Sequence, residues 1–204
     1  VVGTPQTLCH ELLFRLAGRL DDEELWRYRD WLDGGAEAVI ARALPRTLLH
    51  ERIGLTVEEH RLLTEALVPA GASPALLAGV LSLESEPRTG FRFTAVTPSG
   101  VATGDSAAVV LGAVLRGRAS IGEVRSTWRI TDQGGGAPRR VLLVSAAAEH
   151  VRLTAELQRV LRALGEHDPC VEVALPDQRL PSYHRAAWAE SEVVLTGPAR
   201  LTHA

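Results

Sequence analysis

The chain has 204 residues, 46% hydrophobic and 23% charged, with a formal net charge of −3. That is enough apolar material for a packed core, which excludes wholesale disorder, and the length suits one large domain or two small ones. All 22 basic residues are Arg, and Lys, Asn and Met are absent; a GC-rich bacterial genome accounts for this bias without selection for phosphate contacts, and the acidic balance argues against duplex binding.

Residues 1–83 read as an all-α subdomain. Thr4-Pro5 opens the first helix as N-cap and first-turn proline, and Leu8, Leu12, Leu16 and Leu20 follow at four-residue spacing on one face. Asp21 or Asp22 caps the second helix, whose stripe is Leu25, Tyr28 and Leu32 and whose stop is Gly34-Gly35. A third helix spans Ala36–Leu44 and ends before Pro45. Thr56 and Glu59 have capping-box spacing and start a fourth helix through Leu62, Leu63, Ala66 and Leu67. Ser73-Pro74 starts a short fifth one. Its first turn carries no polar side chain able to reach a base edge, so the turn at Gly71 is a helical hairpin rather than a DNA reader.

Residues 84–204 read as an α/β domain. Phe91–Val96 alternates as a strand. Loops follow at Pro98-Ser-Gly100 and Thr103-Gly104, then a helix over Ala107–Arg116 capped by Asp105 or Ser106, though a buried strand fits that apolar run nearly as well. In Glu123–Thr131 the alternation favours a strand around Ser126–Thr131 with a polar outer face, against the helix-like capping spacing of Ser120 and Glu123. Gly134-Gly-Gly136 is a connection. Without any Lys it is no phosphate loop. Val141–Val144, Val171–Leu175 and Val193–Leu195 are strands, separated by helices over Val151–Leu164 and Tyr183–Glu190. Strand, helix, strand, helix, strand implies parallel neighbours in a small parallel or mixed sheet with flanking helices. The pattern resembles part of a doubly wound fold, flavodoxin-like or Rossmann-like, over about a third of the chain.

That resemblance implies a ligand crevice beyond the carboxyl ends of the strands. It picks out Ser145, Asp177, Tyr183, His184 and Thr196 as ligand-binding candidates, with Ser145, Asp177 and His184 as catalytic ones; each also has a bland role as a cap, turn or solvated residue. Trp26 and Trp31, with Arg27 beside them, cannot all share the apolar face of the second helix and are candidates for a protein interface. Neither Cys9-His10 nor His167-x-x-Cys170 has a second half for a zinc site, and Asp21–Glu24 lacks the glycine and spacing of a calcium loop, so no metal and no cofactor is expected. No apolar run approaches the ~20 residues of a membrane span and no signal peptide is recognisable, so a cytoplasmic protein is expected. The leading expectation is a non-catalytic interaction or regulatory protein that self-associates or binds a protein partner. The alternatives are a small-molecule binder or enzyme at the strand ends and, less favoured, a nucleic-acid binder with an Arg face.

Overall fold

The computed structural model describes residues 3–98, 106–131 and 136–197. Of the expected loops, Ser99-Gly100 and Thr103-Gly104 lie outside the described residues, as do the cap candidate Asp105 and the glycines at 134 and 135. The chain divides into two compact units, Val1–Pro87 and Arg88–Ala204.

In the first unit, Thr4 Oγ1 accepts the Thr7 N–H and starts α1 (Pro5–Arg15). The leucine spacing predicts a helix running on to Leu20. Instead α1 stops at Arg15, because the chain turns at Gly18 with φ +75; Leu16 and Leu20 remain buried all the same. Asp21 caps α2 (Asp22–Asp33) by accepting the Glu23 N–H at 2.9 Å, and Leu25, Tyr28 and Leu32 are buried with Arg29. The third helix is longer than expected. α3 spans Glu37–His50 with Pro45 inside it. Leu44 and Leu48, a turn apart around Pro45, are both fully buried, and their burial offsets the ~3 kcal/mol cost of an internal proline. Thr56 and Glu59 form the capping box of α4 (Val57–Leu67). The Glu59 carboxylate also pairs with Arg19, whose Nη1 donates to Gly54 O at 2.9 Å. α5 (Pro74–Ala78) is a single short turn of helix. α1 packs on α2 and α4, and α3 on α2, α4 and α5.

The second unit is mixed α/β, in the order β1 (Phe91–Thr94), α6 (Ser106–Leu115), β2 (Ile121–Thr131), β3 (Arg139–Ala146), α7 (His150–Ala163), β4 (Cys170–Ala174), α8 (Ser182–Ala189) and β5 (Glu192–Thr196). β2 is the long central strand, antiparallel to β3 on one side, and β3 pairs in parallel with β4. The other side of β2 is shared: β1 pairs with Trp128–Thr131 and β5 with Glu123–Ser126, both antiparallel. This corrects the expectation of three parallel neighbours. β5 points the same way as β3 and β4, but β2 lies between. A continuous apolar run marks a buried strand without naming its partner, and the alternating strand β2 stands between β3 and β5.

The strand period divides the sheet into two faces. On one, Val124, Val144, Val173 and Leu195 form a row beside Leu142 and Val171, and α7 and α6 cover them with Leu153, Leu157, Leu161, Leu111 and Leu115. The other carries Glu123, Arg125, Thr127 and Arg129 of β2 with Cys170 and Glu172 of β4, and α8 packs against it. The polar side of β2 is therefore not an outer face, since Thr127 and Arg129 are buried.

Candidate functional site

The α8 side of the sheet gathers the buried ionisable groups of this unit. Tyr183 and His184 stand in the first turn of α8. His184 Nε2 lies 2.9 Å from Glu172 Oε2, with the two side chains 1% and 2% exposed. Arg129 Nη1 donates to the Tyr183 hydroxyl at 3.2 Å, and its guanidinium lies 4.6 Å from the centre of the Phe91 ring. Phe91, Phe93 and His184 all meet Tyr183 edge to face, with ring centres 5.2–6.1 Å apart. Burial pushes the Tyr183 phenol well above its ordinary range, and the nearby Arg129 opposes the rise. Thr127 Oγ1 lies within reach of two carbonyls, Thr94 O at 3.2 Å and Glu190 O at 2.7 Å, and so bridges the end of β1 to the end of α8. These groups are closed against one another and away from water, as buried polar pairs between the sheet and α8.

At the carboxyl ends of β3, β4 and β5, beside the amino end of β2, register aligns Thr196, Glu123, Ser145 and Ala174 in one row across β5, β2, β3 and β4. Arg125 binds this end together: Nη1 donates to Glu123 Oε1 at 2.8 Å, Nε to Ser191 Oγ at 2.7 Å and Nη2 to Ser191 O at 2.9 Å. Its guanidinium stacks 5.7 Å from the Trp188 ring centre. A side chain at Gly197 would run into the backbone of Ile121, and the Gly197 N–H donates to Gly122 O at 2.8 Å, so only glycine lets the chain leave β5 along this path.

The five sequence candidates therefore do not form one crevice. Ser145 lies inside β3 rather than in the loop after it, and Glu149 with φ 59, not Ser145, holds the N-cap position of α7. Asp177 is exposed in the turn after β4, Thr196 is the exposed last residue of β5, and Tyr183 and His184 are buried. The structure joins Ser145 and Thr196 through Glu123, and Tyr183 with His184. Neither Ser145 nor Asp177 hydrogen-bonds to His184 among the described residues. In the first unit Trp26 and Trp31 are half-buried, Trp31 packs edge to face on Tyr28 at 5.7 Å, and Arg27 pairs with Glu23. Burial pushes the Cys9 thiol up to about 12, with Glu37 adding to the rise. No cluster of three or more His, Cys, Asp or Glu able to hold a metal is found among the described residues, and no helix among them is long and apolar enough to cross a membrane.

Two groups escaped the sequence reading. Glu172 is the one charge inside Cys170–Ala174, a strand buried throughout, and Arg129 continues the alternation of β2. A lone carboxylate in an apolar strand was the available signal, because a buried charge needs a partner. The structure also contains a groove of about 280 Å3 at the opposite end of the sheet, lined by Trp128, Arg139, Arg140, Glu166, His167 and Asp168. Arg140 lies across from Trp128 in register, with its guanidinium 5.8 Å from the indole centre. No family model, curated protein or solved structure matches this chain.

Proposed function

We propose that this chain is a non-catalytic interaction protein that self-associates through the outer edge of β5. One observation carries the reading: among the described residues β5 pairs with β2 alone, and Val193 on it is 49% exposed while Val194 and Leu195 are half-buried. An open apolar edge strand is a template for another strand. A second copy suits it. A two-fold antiparallel register centred on Val194 sets Glu192 opposite Thr196 and Val193 opposite Leu195, which opposes no like charges and pairs β-branched and aliphatic side chains.

The closure of the Glu172–His184 and Arg129–Tyr183 pairs supports a non-catalytic role, since a general base must be within reach of its substrate. The burial of His184 and the exposure of Asp177 speak against an enzyme built on Ser145, Asp177 and His184. The β3–α7–β4 unit is the part that resembles a doubly wound fold, and it has the wrong neighbour for a crevice between β3 and β5. Arginines paired with acids, such as Arg61 with Glu58 and Glu65 or Arg118 with Glu156, argue against a phosphate-binding face.

Sedimentation velocity tests the proposal. The expected result is a dimer at micromolar concentration, converted to monomer by Val194→Pro, which removes an edge N–H, or by Val193→Lys, which places charge on the edge. A single monomeric species from about 1 to about 100 μM overturns it.

A further inference from the structure

The sequence of α6, Ser-Ala-Ala-Val-Val-Leu-Gly-Ala-Val-Leu, has no charged residue. A helix apolar all round is normally covered all round. Leu111 and Leu115 face the sheet and are buried, but Val109 on the far side is 74% exposed and Ala113, one turn on, is exposed too. Among the described residues, a Cβ at Gly112 would meet nothing within 4 Å. α7 joins β3 to β4 and packs on β4, and α6 stands beside α7. A turn at Gly117, with φ +79, leads α6 straight into β2, where the Ile121 N–H donates to Arg118 O. α6 therefore lies over β2 and β5, and Leu195 of β5 packs on the same core cluster as Leu111 and Leu115.

Size and spacing name what covers this face. β5 has five residues. An edge roughly 17 Å long and about 10 Å deep gives a contact on the order of 200 Å2 on each copy. A stable interface needs about 800 Å2 per partner, so a dimer held by the strand edge alone falls short. The two-fold axis that pairs β5 with a second β5 stands perpendicular to the sheet and keeps like faces on the same side. It sets the second α6 antiparallel to the first. Strands lie about 4.8 Å apart and packed helices about 8–10 Å, so one helix spans two strands and the next helix in the layer stands two strands further on. Across the joint, that position belongs to the α6 of the second copy. Given the β5 pairing proposed above, we infer that the interface has two layers, with α6 packing on its symmetry mate through Val109 and Ala113 above the joined strands.

Sedimentation equilibrium of the full chain carrying Val109→Glu or Ala113→Glu tests this. Each substitution puts a carboxylate into an apolar helix contact and is expected to raise the dimer Kd about tenfold or more. Val57→Glu is the control, on a side chain 83% exposed in the first unit, and leaves the Kd within about twofold of wild type. Both test positions are already exposed, so the melting temperature of the dilute monomer stays within about 4 °C of wild type and verifies the fold. If both variants keep the wild-type Kd within about twofold while Val194→Pro still yields monomer, the α6 layer is overturned and the edge pairing stands. If the wild-type chain is monomeric up to about 100 μM, the edge pairing fails and the α6 contact with it. Binding to phosphatidylcholine vesicles that Val109→Glu abolishes, with the dimer Kd unchanged, would assign the face to a lipid surface and overturn the inference.

Discussion

The two units handle buried charge differently. In Val1–Pro87 the buried carboxylate, Glu59, closes the capping box of its own helix and accepts the Thr56 N–H at 2.9 Å before it reaches Arg19. In Arg88–Ala204 the buried pairs have no such local anchor: Glu172 meets His184 between β4 and α8, and Arg129 meets Tyr183 between β2 and α8, 54 residues apart. A helical unit can settle a polar group within one turn of itself. A sheet settles it through the strand order, so its polar core forms only when distant segments have already paired.

Removing one half of a sheet pair is expected to have the largest effect on stability. His184→Leu strands a buried carboxylate, and urea denaturation is expected to show a loss of about 3–5 kcal/mol, most of which the double variant Glu172→Leu/His184→Leu restores. A loss below about 1 kcal/mol would mean that the pair is not holding the sheet to α8.

The helical unit has its own titration. The Cys9 thiol is raised from 9.0 to about 12, so above pH 9 the unfolded chain releases its proton before the folded one does. Stability from this group is complete below pH 9 and is lost as pH rises toward 12, with a slope of at most about 1.4 kcal/mol per pH unit. Denaturation curves across that range are expected to flatten in Cys9→Ala. An unchanged slope would place the titration elsewhere.

Two hydroxyl deletions are expected to have smaller effects. Thr127→Val removes the hydroxyl that reaches Thr94 O and Glu190 O, and is expected to cost about 1–2 kcal/mol in thermal or urea unfolding. Thr56→Ala removes only one side of the α4 capping box and is expected to cost about 1 kcal/mol, read as a loss of stability in the helical unit. Should the cap prove costlier than Thr127, the helical unit would be the one that leans on its polar contacts.

The same division governs how much could be read from the chain. Caps at Thr4, Asp21 and Thr56 and the stripes behind them were legible, because helix neighbours follow from spacing. Pro45 misled the reading, since its local cost is visible in the sequence and the burial of Leu44 and Leu48 around it is not. The alternation of Glu123–Thr131 points to a strand around Ser126–Thr131, whereas β2 begins at Ile121, and nothing in the pattern says that Arg129 and Thr127 lie beneath α8. Ser145 was placed past the end of its strand because the apolar run stops at Val144, whereas pairing with Glu123 and Ala174 carries β3 one step further. Tyr183 and His184 were rightly placed together at the start of α8. Their partners were not, because a register decides which strand position faces them.

β1 and β5 sit end to end along one flank of β2 like two short planks on a single beam, and Thr127 marks the joint. Lifting β5 uncovers only the Glu123–Ser126 half of that flank and leaves β1 fastened to the other half. The two halves of that flank are thus held by separate ladders, and parting one leaves the other in place.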